Sequence, residues 1–418
     1  MTGIGGILDE EQIERGIRRI EWAREHMHVL GKVSEMIRSR GFLKGKRIAM
    51  ALHVEAKTAC LALSLMDAGA AVRLASCNPL STDDSVSAAL NAHYGLETFA
   101  RKGEGEEEYY SYLNSVLDIR PDLVIDDGAD LITLLHTDRK EMLGNVKGGN
   151  EETTTGVLRM KAMEREGLLR FPVIAVNSSH MKFMFDNRYG TGQSTLDGLM
   201  NATNLVLAGS RVVVAGYGWC GKGIAQRARG MGAIVTVTEI DPIRAVEALM
   251  DGFNVGRMAE EISRADFVIT ATGCRDVVTY STCLRAKDGC VLANAGHFNL
   301  EIDADALRRK AKVRRVREYV EEFVLPGGKK IYLIGDGRLV NLVAGQGHPA
   351  EIMDLSFSLQ ALAADYLASH PELRAGVHVL PESIDIDVAR MKLEAMGVHL
   401  DRLSNAQKKY LDSWNVGT

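Results

Sequence analysis

Apolar positions along this chain follow two rhythms. From about residue 8 to 40, Ile13, Ile17, Ile20, Val29, Val33 and Ile37 recur at helical spacing, predicting an amphipathic helical start. Short β-branched runs then alternate with helix-compatible stretches. The pattern predicts strands over 47–52, 72–76 and 123–125, with a helix over 56–68 between the first two. A second series begins near residue 190, with predicted strands over 212–214, 234–238, 267–270 and 290–293. Beyond Gly347 the period becomes helical again, over 351–367, and the last thirty or so residues read as helix ending in DSWNVGT. Alternation of this kind predicts parallel α/β units. In such sheets ligands lie beyond the carboxyl ends of strands, which places His53, Cys77, Asn78, Asp126 and Asp127 on one rim.

The stretch VVVAGYGWCGKGIAQRARGMGAIVTVTEID is the most informative. A β-branched strand ends in Gly216, Gly218 and Gly221, a helix follows, and a second strand ends on Glu239. Strand, G-x-G-x-x-G, helix, strand and acid in that order form the dinucleotide-binding fingerprint. Gly216 permits the turn, Gly218 admits a pyrophosphate, and Gly221 lets helix and strand approach. Glu239 suits ribose hydroxyls, and Asp241 beside it disfavours a 2′-phosphate, so the expected cofactor is NAD. A P-loop reading fails because Gly223 stands where that motif needs Ser or Thr.

At 418 residues the chain should form two or three domains. The expected fold is α/β: two Rossmann-like doubly wound domains joined by a hinge, with a small helical C-terminal region. The expected boundaries are 1–180 with 348–385 for substrate, 190–346 for NAD, and 386–418 for a C-terminal helical, oligomerising segment. Composition is 46% hydrophobic and 25% charged with net charge −5, which argues against nucleic acid as partner. No apolar run reaches membrane length, and MTGIGGILDE has no secretory pattern, so a cytoplasmic protein without membrane contact is expected. Cys60, Cys77, Cys220, Cys274, Cys283 and Cys290 form no C-x-x-C, and the histidines show no zinc spacing, so no catalytic metal is expected. The acidic run 104–108 reads as a solvated helix start.

The motifs SCNPLSTDD, DDGADL, EETTTG, FDNRYG, GYGWCGKG, TEIDP, NAGHFNLEID, GRLVNL and GHP stand in one order from about residue 15 to 405. With them the chain resembles S-adenosylhomocysteine hydrolases (adenosylhomocysteinases), in their short archaeal-type branch. The resemblance implies bound NAD, a small-molecule substrate, a homo-oligomer such as a tetramer, and reversible cleavage of an S-nucleosyl-homocysteine to nucleoside and homocysteine. Oxidation at C3′ acidifies the C4′ hydrogen, homocysteine is eliminated, water adds, and the hydride returns. By the same resemblance, Lys182 and Asp186 serve the 3′ position, and Asn187 supports the lysine and the nicotinamide. Asp127 serves C4′, Glu152 binds ribose hydroxyls, and His53 and His297 lie near the 5′ carbon. The sequence leaves the division of proton transfers among them open. Thr153, Thr154, Thr155, Asn177, Glu239, Asn294 and Asn341 match NAD contacts, and His348 matches a hinge and substrate gate.

Two departures matter. The family's L-H-x-T-x-E-T segment, which reads adenine, is here Leu52-His53-Val54-Glu55-Ala56-Lys57-Thr58. Adenine offers a donor at N6 and an acceptor at N1; hypoxanthine offers an acceptor at O6 and a donor at N1. Lysine suits O6 and a carboxylate suits N1–H, so Glu55, Lys57 and Thr58 predict S-inosylhomocysteine as preferred substrate. The alternative is that Glu55 and Lys57 pair with each other and adenine binds through water. Second, the usual C-terminal K-P-D-H-Y-R-Y is absent, which bears on cofactor affinity. Thr191 also replaces a common Cys. The Lys182, Asp186, Asp127 and His53 set argues against an ordinary dehydrogenase, and its intactness argues against a catalytically inert regulator.

Overall fold

The computed structural model describes residues 9–415. Two sheets organise the chain. The first contains β1 (Arg47–Ala51), β2 (Ala71–Ala75), β3 (Glu97–Phe99), β4 (Leu123–Asp126), β5 (Gly148–Glu151), β6 (Pro172–Ala175) and β15 (Gly376–His378). Its strands are all parallel, in the order β15-β6-β5-β4-β1-β2-β3. The second contains β7 (Arg211–Ala215), β8 (Ile234–Thr238), β9 (Asn254–Val255), β10 (Phe267–Thr270), β11 (Cys290–Asn294), β12 (Lys312–Arg317), β13 (Val320–Val324) and β14 (Lys330–Ile334). Its order is β12-β13-β14-β11-β10-β7-β8-β9, antiparallel only along β12-β13-β14. Both sheets therefore reverse their winding beside the first strand, between β1 and β4 and between β7 and β10. Those reversals open the crevices in which doubly wound folds bind ligands.

Period-two alternation explains the layers. Ile48 and Met50 face one core of the first sheet, and Ala49 and Ala51 the other. Val212 and Val214 face one core of the second sheet while Val213 faces the opposite one. Helix Ala350–Ser369 returns the chain to the first sheet, where Leu355, Leu359 and Leu362 join the core formed by β1 and the N-terminal helices. β15 then extends that sheet.

Several expectations need adjustment. The amphipathic start is two helices, Glu10–Glu25 and His28–Arg40, because the buried Asp354 carboxylate accepts from Val29 N (3.2 Å) and Leu30 N (2.8 Å) and starts a new helix there; residue 8 lies outside the described residues. The expected boundary at 385/386 falls inside one continuous helix, Glu382–Ala395, whose Val388 is buried in the first sheet's core. Residues 396–404 are not helical, and helix Asn405–Leu411 follows. In the acidic run, Glu104 is buried and accepts from Arg101 N at 2.9 Å; the helix begins at Glu106. Burial raises the Glu104 pKa to about 7.

Candidate active site

The second sheet forms a cradle for an anion. At Gly216 the backbone turns with φ +95°, and a Cβ at Gly221 would lie 1.9 Å from the Gly216 carbonyl oxygen. Helix Trp219–Gly230 therefore starts hard against the turn. Gly218 caps it without a side chain, leaving N–H groups of its first turn for a phosphate. The Glu239 carboxylate accepts from Tyr217 N (2.6 Å), Ile240 N (2.7 Å) and Asp241 N (3.1 Å), tying the end of β8 to the glycine turn. Gly223 completes the close approach: its Cβ would lie 1.8 Å from Arg188 O.

A buried polar cluster is built where the strand ends of both sheets converge. His53 follows β1, Asp127 follows β4, Glu152 follows β5, and His297 follows β11 of the other sheet. His53 Nε2 lies 3.3 Å from Asp127 Oδ2, and His297 Nδ1 lies 3.6 Å from Asp127 Oδ1. A Cβ at Gly128 would meet His297 Nε2 at 2.3 Å, so the histidine seats against bare backbone. Burial lowers the His53 pKa to about 4, against the pull of Asp127. Burial also raises the adjacent Cys77 thiol well above its ordinary value, with Asp127 adding to the effect.

Lys182 depends on an unusual backbone. It immediately precedes a π-helical turn, Phe183–Gly190. In that winding residues five apart share a face. Lys182 Nζ accordingly donates to Asn187 Oδ1 (3.0 Å) and to Asn177 Oδ1 (3.1 Å), and lies 3.5 Å from Asp186 Oδ2. Asp186 Oδ1 is 3.1 Å from His348 Nδ1, and His348 Nε2 is 3.3 Å from Thr191 Oγ1. Burial alone would lower the Lys182 pKa, but Asp186 and Glu152 outweigh it and the pKa rises. The protein's own groups therefore favour the protonated lysine. Burial would raise Asp186, yet Lys182 and His348 hold it well below the usual carboxylate range. Glu152 receives Ser356 Oγ (3.2 Å) and Gln360 Nε2, and burial raises its pKa to about 8.

The other expected contacts divide. Thr155 Oγ1 lies 3.8 Å from where a Gly273 Cβ would sit, facing the second sheet's loop. Thr153 caps helix Thr154–Arg165 by accepting from Gly156 N and donates to Glu151, and Thr154 Oγ1 receives Asn177 Nδ2. The Asn294 side chain is spent internally. It accepts from Thr270 Oγ1 and Gly296 N and donates to the carbonyls of Gly296, Phe298 and Gly337, so it shapes the loop that carries His297. Asn341 Oδ1, by contrast, is buried without a donor. That orphaned acceptor, the glycine cradle and the free helix N-terminus fit a dinucleotide amide and pyrophosphate. Ser356 and Gln360 were not anticipated; polar residues four apart in an otherwise apolar helix were the readable signal.

The segment expected to read the base caps a helix. Glu55 accepts from Lys57 N and Thr58 N, both at 3.2 Å. Lys57 Nζ lies 2.5 Å from Glu55 Oε2 and donates to Gln346 O at 3.0 Å, while Thr58 Oγ1 donates to His53 O at 2.6 Å.

Residues 187–347 match the model of the S-adenosyl-L-homocysteine hydrolase NAD binding domain, and residues 6–143 match that of S-adenosyl-L-homocysteine hydrolase. The adenosylhomocysteinase of Thermoplasma acidophilum is 57% identical over 97% of this chain and 99% of its own. The chain belongs to the adenosylhomocysteinase family. The adenosylhomocysteinase of Archaeoglobus fulgidus is 56% identical over 96% of this chain and all of its own, and the S-inosyl-L-homocysteine hydrolase of Methanocaldococcus jannaschii 54% identical over 97% and 98%. As a family hydrolase with an NAD-binding domain, this enzyme uses NAD and acts on a small molecule. Among the described residues, no helix is long and apolar enough to cross a membrane.

Proposed function

We propose that this enzyme reversibly hydrolyses an S-nucleosyl-L-homocysteine, with S-inosyl-L-homocysteine as its preferred substrate. When bound, NAD supplies a hydride acceptor and a positively charged ring. Gly216, Gly218, Gly221, Glu239 and Asn341 would hold it, with Thr155 facing it from the first sheet. Glu152, held by Ser356 and Gln360, binds ribose hydroxyls. Lys182, held by Asn177, Asn187 and Asp186, takes the O3′ proton. Asp127 accepts the C4′ proton. His53 and His297, one on each side of Asp127, protonate the departing sulfur and deliver water.

The observation that carries the substrate preference is the setting of Lys57. Its ammonium is nearly buried between Glu55 and the Gln346 carbonyl, and it has a third hydrogen to give. Hypoxanthine O6 accepts that hydrogen, while the N6 amino group of adenine meets donor with donor. The adenosyl reading has one observation in its favour: the Glu55–Lys57 pair is closed on itself at 2.5 Å. Relatives carrying each name are similarly close, at 57% and 54% identity. The deciding experiment is synthesis from homocysteine with inosine or adenosine in parallel. A kcat/KM clearly higher for inosine supports the reading; a higher value for adenosine overturns it.

A further inference from the structure

The cluster around Asp127 contains more than a proton path. Ser81 Oγ lies 2.7 Å from His53 Nδ1 and 2.9 Å from Asn78 O. His53 Nε2 faces Asp127 Oδ2 at 3.3 Å, and Cys77 Sγ donates to that same oxygen at 3.5 Å. The second carboxylate oxygen, Asp127 Oδ1, is buried without a hydrogen-bond partner and lies 3.6 Å from His297 Nδ1. One donor atom from each of the three side chains falls within 4.8 Å of the others.

The His53–Asp127 separation is that of a coordination sphere, and the remaining donors lie somewhat wider, within 4.8 Å. Tetrahedral Zn²⁺ with nitrogen and oxygen ligands at about 2.0–2.1 Å holds its donors roughly 3.3–3.5 Å apart. The Ser81 contact gives the outer nitrogen of a ligating imidazole a hydrogen-bond partner. Two imidazoles and one carboxylate suit zinc, cobalt or copper and disfavour magnesium and calcium. We propose that His53, Asp127 and His297 form a site for one zinc-class divalent cation, and that this ion and the substrate exclude each other. No motif spacing announces the site because its ligands are drawn from the ends of β1, β4 and β11. The ion occupies the lone pairs needed for proton transfer at C4′ and the 5′ carbon. The exclusion rests on the proposed roles of these residues; the binding does not.

The test uses NAD-loaded protein carrying Cys274→Ser, which removes the exposed thiol, and Co²⁺ as probe. The expected result is one Co²⁺ per chain with the intense visible bands of a tetrahedral ion, displaced by Zn²⁺ and by inosine but not by Mg²⁺. The bands should vanish in His53→Gln and in His297→Gln, each checked for retained NAD. If either variant fails to fold, zinc-edge X-ray absorption on the parent should report two imidazoles and a carboxylate. Zn²⁺ should raise the KM for nucleoside roughly tenfold or more with kcat unchanged. Tetrahedral bands surviving in both folded histidine variants, sulfur in the zinc shell, or no stoichiometric binding would overturn the site. Binding indifferent to inosine would overturn the mutual exclusion.

Discussion

His348 Nδ1 lies 3.1 Å from Asp186 Oδ1, joining the segment that returns to the first sheet with the π-turn that follows Lys182. The contact ties the returning segment to the charge that neutralises the lysine. Removing the imidazole by His348→Ala frees the returning segment but leaves the glycine cradle untouched. The expected outcome is a KM for nucleoside raised roughly tenfold, with NAD still bound stoichiometrically. Steady-state kinetics and cofactor content of the purified variant check it.

Lys182→Ala removes the group proposed to take the O3′ proton and strands Asp186, Asn177 and Asn187 without their common donor. Turnover should fall by about 10³-fold or more, within the range of general-base deletions. NAD should remain bound, because no cradle residue is altered. Activity near that of the parent would remove Lys182 from its proposed role.

Much of this site is legible in the chain. The glycine turn and Glu239 form a contiguous pattern, and strand ends carrying His53 and Asp127 follow from apolar runs that stop at polar residues. What is not legible has physical reasons. β5 is the tetrapeptide Gly148–Glu151, whose glycines have no strand propensity. They stand there because a Cβ at Gly148 would lie 2.7 Å from Leu367 of the returning helix. The π-turn gives no signal of its own, since its apolar and polar positions do not follow the 3.6-residue period. The internal use of Asn294 was equally hidden, because its partners lie on other strands and loops.

Glu152 carries a pH signature. Its pKa is raised in the folded protein, from the ordinary 4.5 to about 8, by burial. A raised carboxyl pKa means that folding favours the protonated form. The stability it contributes is fully present below about pH 4.5 and is lost as pH climbs through 8. Glu152→Gln keeps the neutral shape and should flatten that decline, so the variant becomes more stable relative to the parent by a few kcal/mol as pH rises. Urea denaturation at several pH values between 5 and 9 reads the difference; parallel curves for the two proteins would refute the assignment.

Lys57→Glu tests base reading from the protein side. The substitution removes the donor proposed for O6 and places two carboxylates together, Glu55 and the new one, so the double variant Glu55→Thr with Lys57→Glu is the cleaner instrument. It restores the adenine-reading pattern of the family at both positions. The ratio of kcat/KM for inosine over adenosine should fall by about 10²-fold or more, since buried donor–donor mismatches discriminate strongly. An unchanged ratio would place recognition elsewhere.

Gly128 joins both sheets by what it lacks. Its φ of +99° is a backbone state that side chains resist, and an added Cβ would sit 2.3 Å from His297 Nε2. Gly128→Ala must therefore displace the histidine or shift the turn that carries Asp127. Either movement separates groups now 3.6 Å apart. A misplacement of about 1 Å costs on the order of 10²-fold in rate, so kcat should drop by that amount. The backbone strain should cost roughly 1–2 kcal/mol of stability. NAD content should be unchanged, because the substitution alters no residue of the glycine turn of the second sheet. A variant with full kcat would show that His297 need not rest on this turn for the reaction, whereas loss of NAD together with activity would mean that the two sheets are coupled more tightly than the His297–Asp127 contact requires.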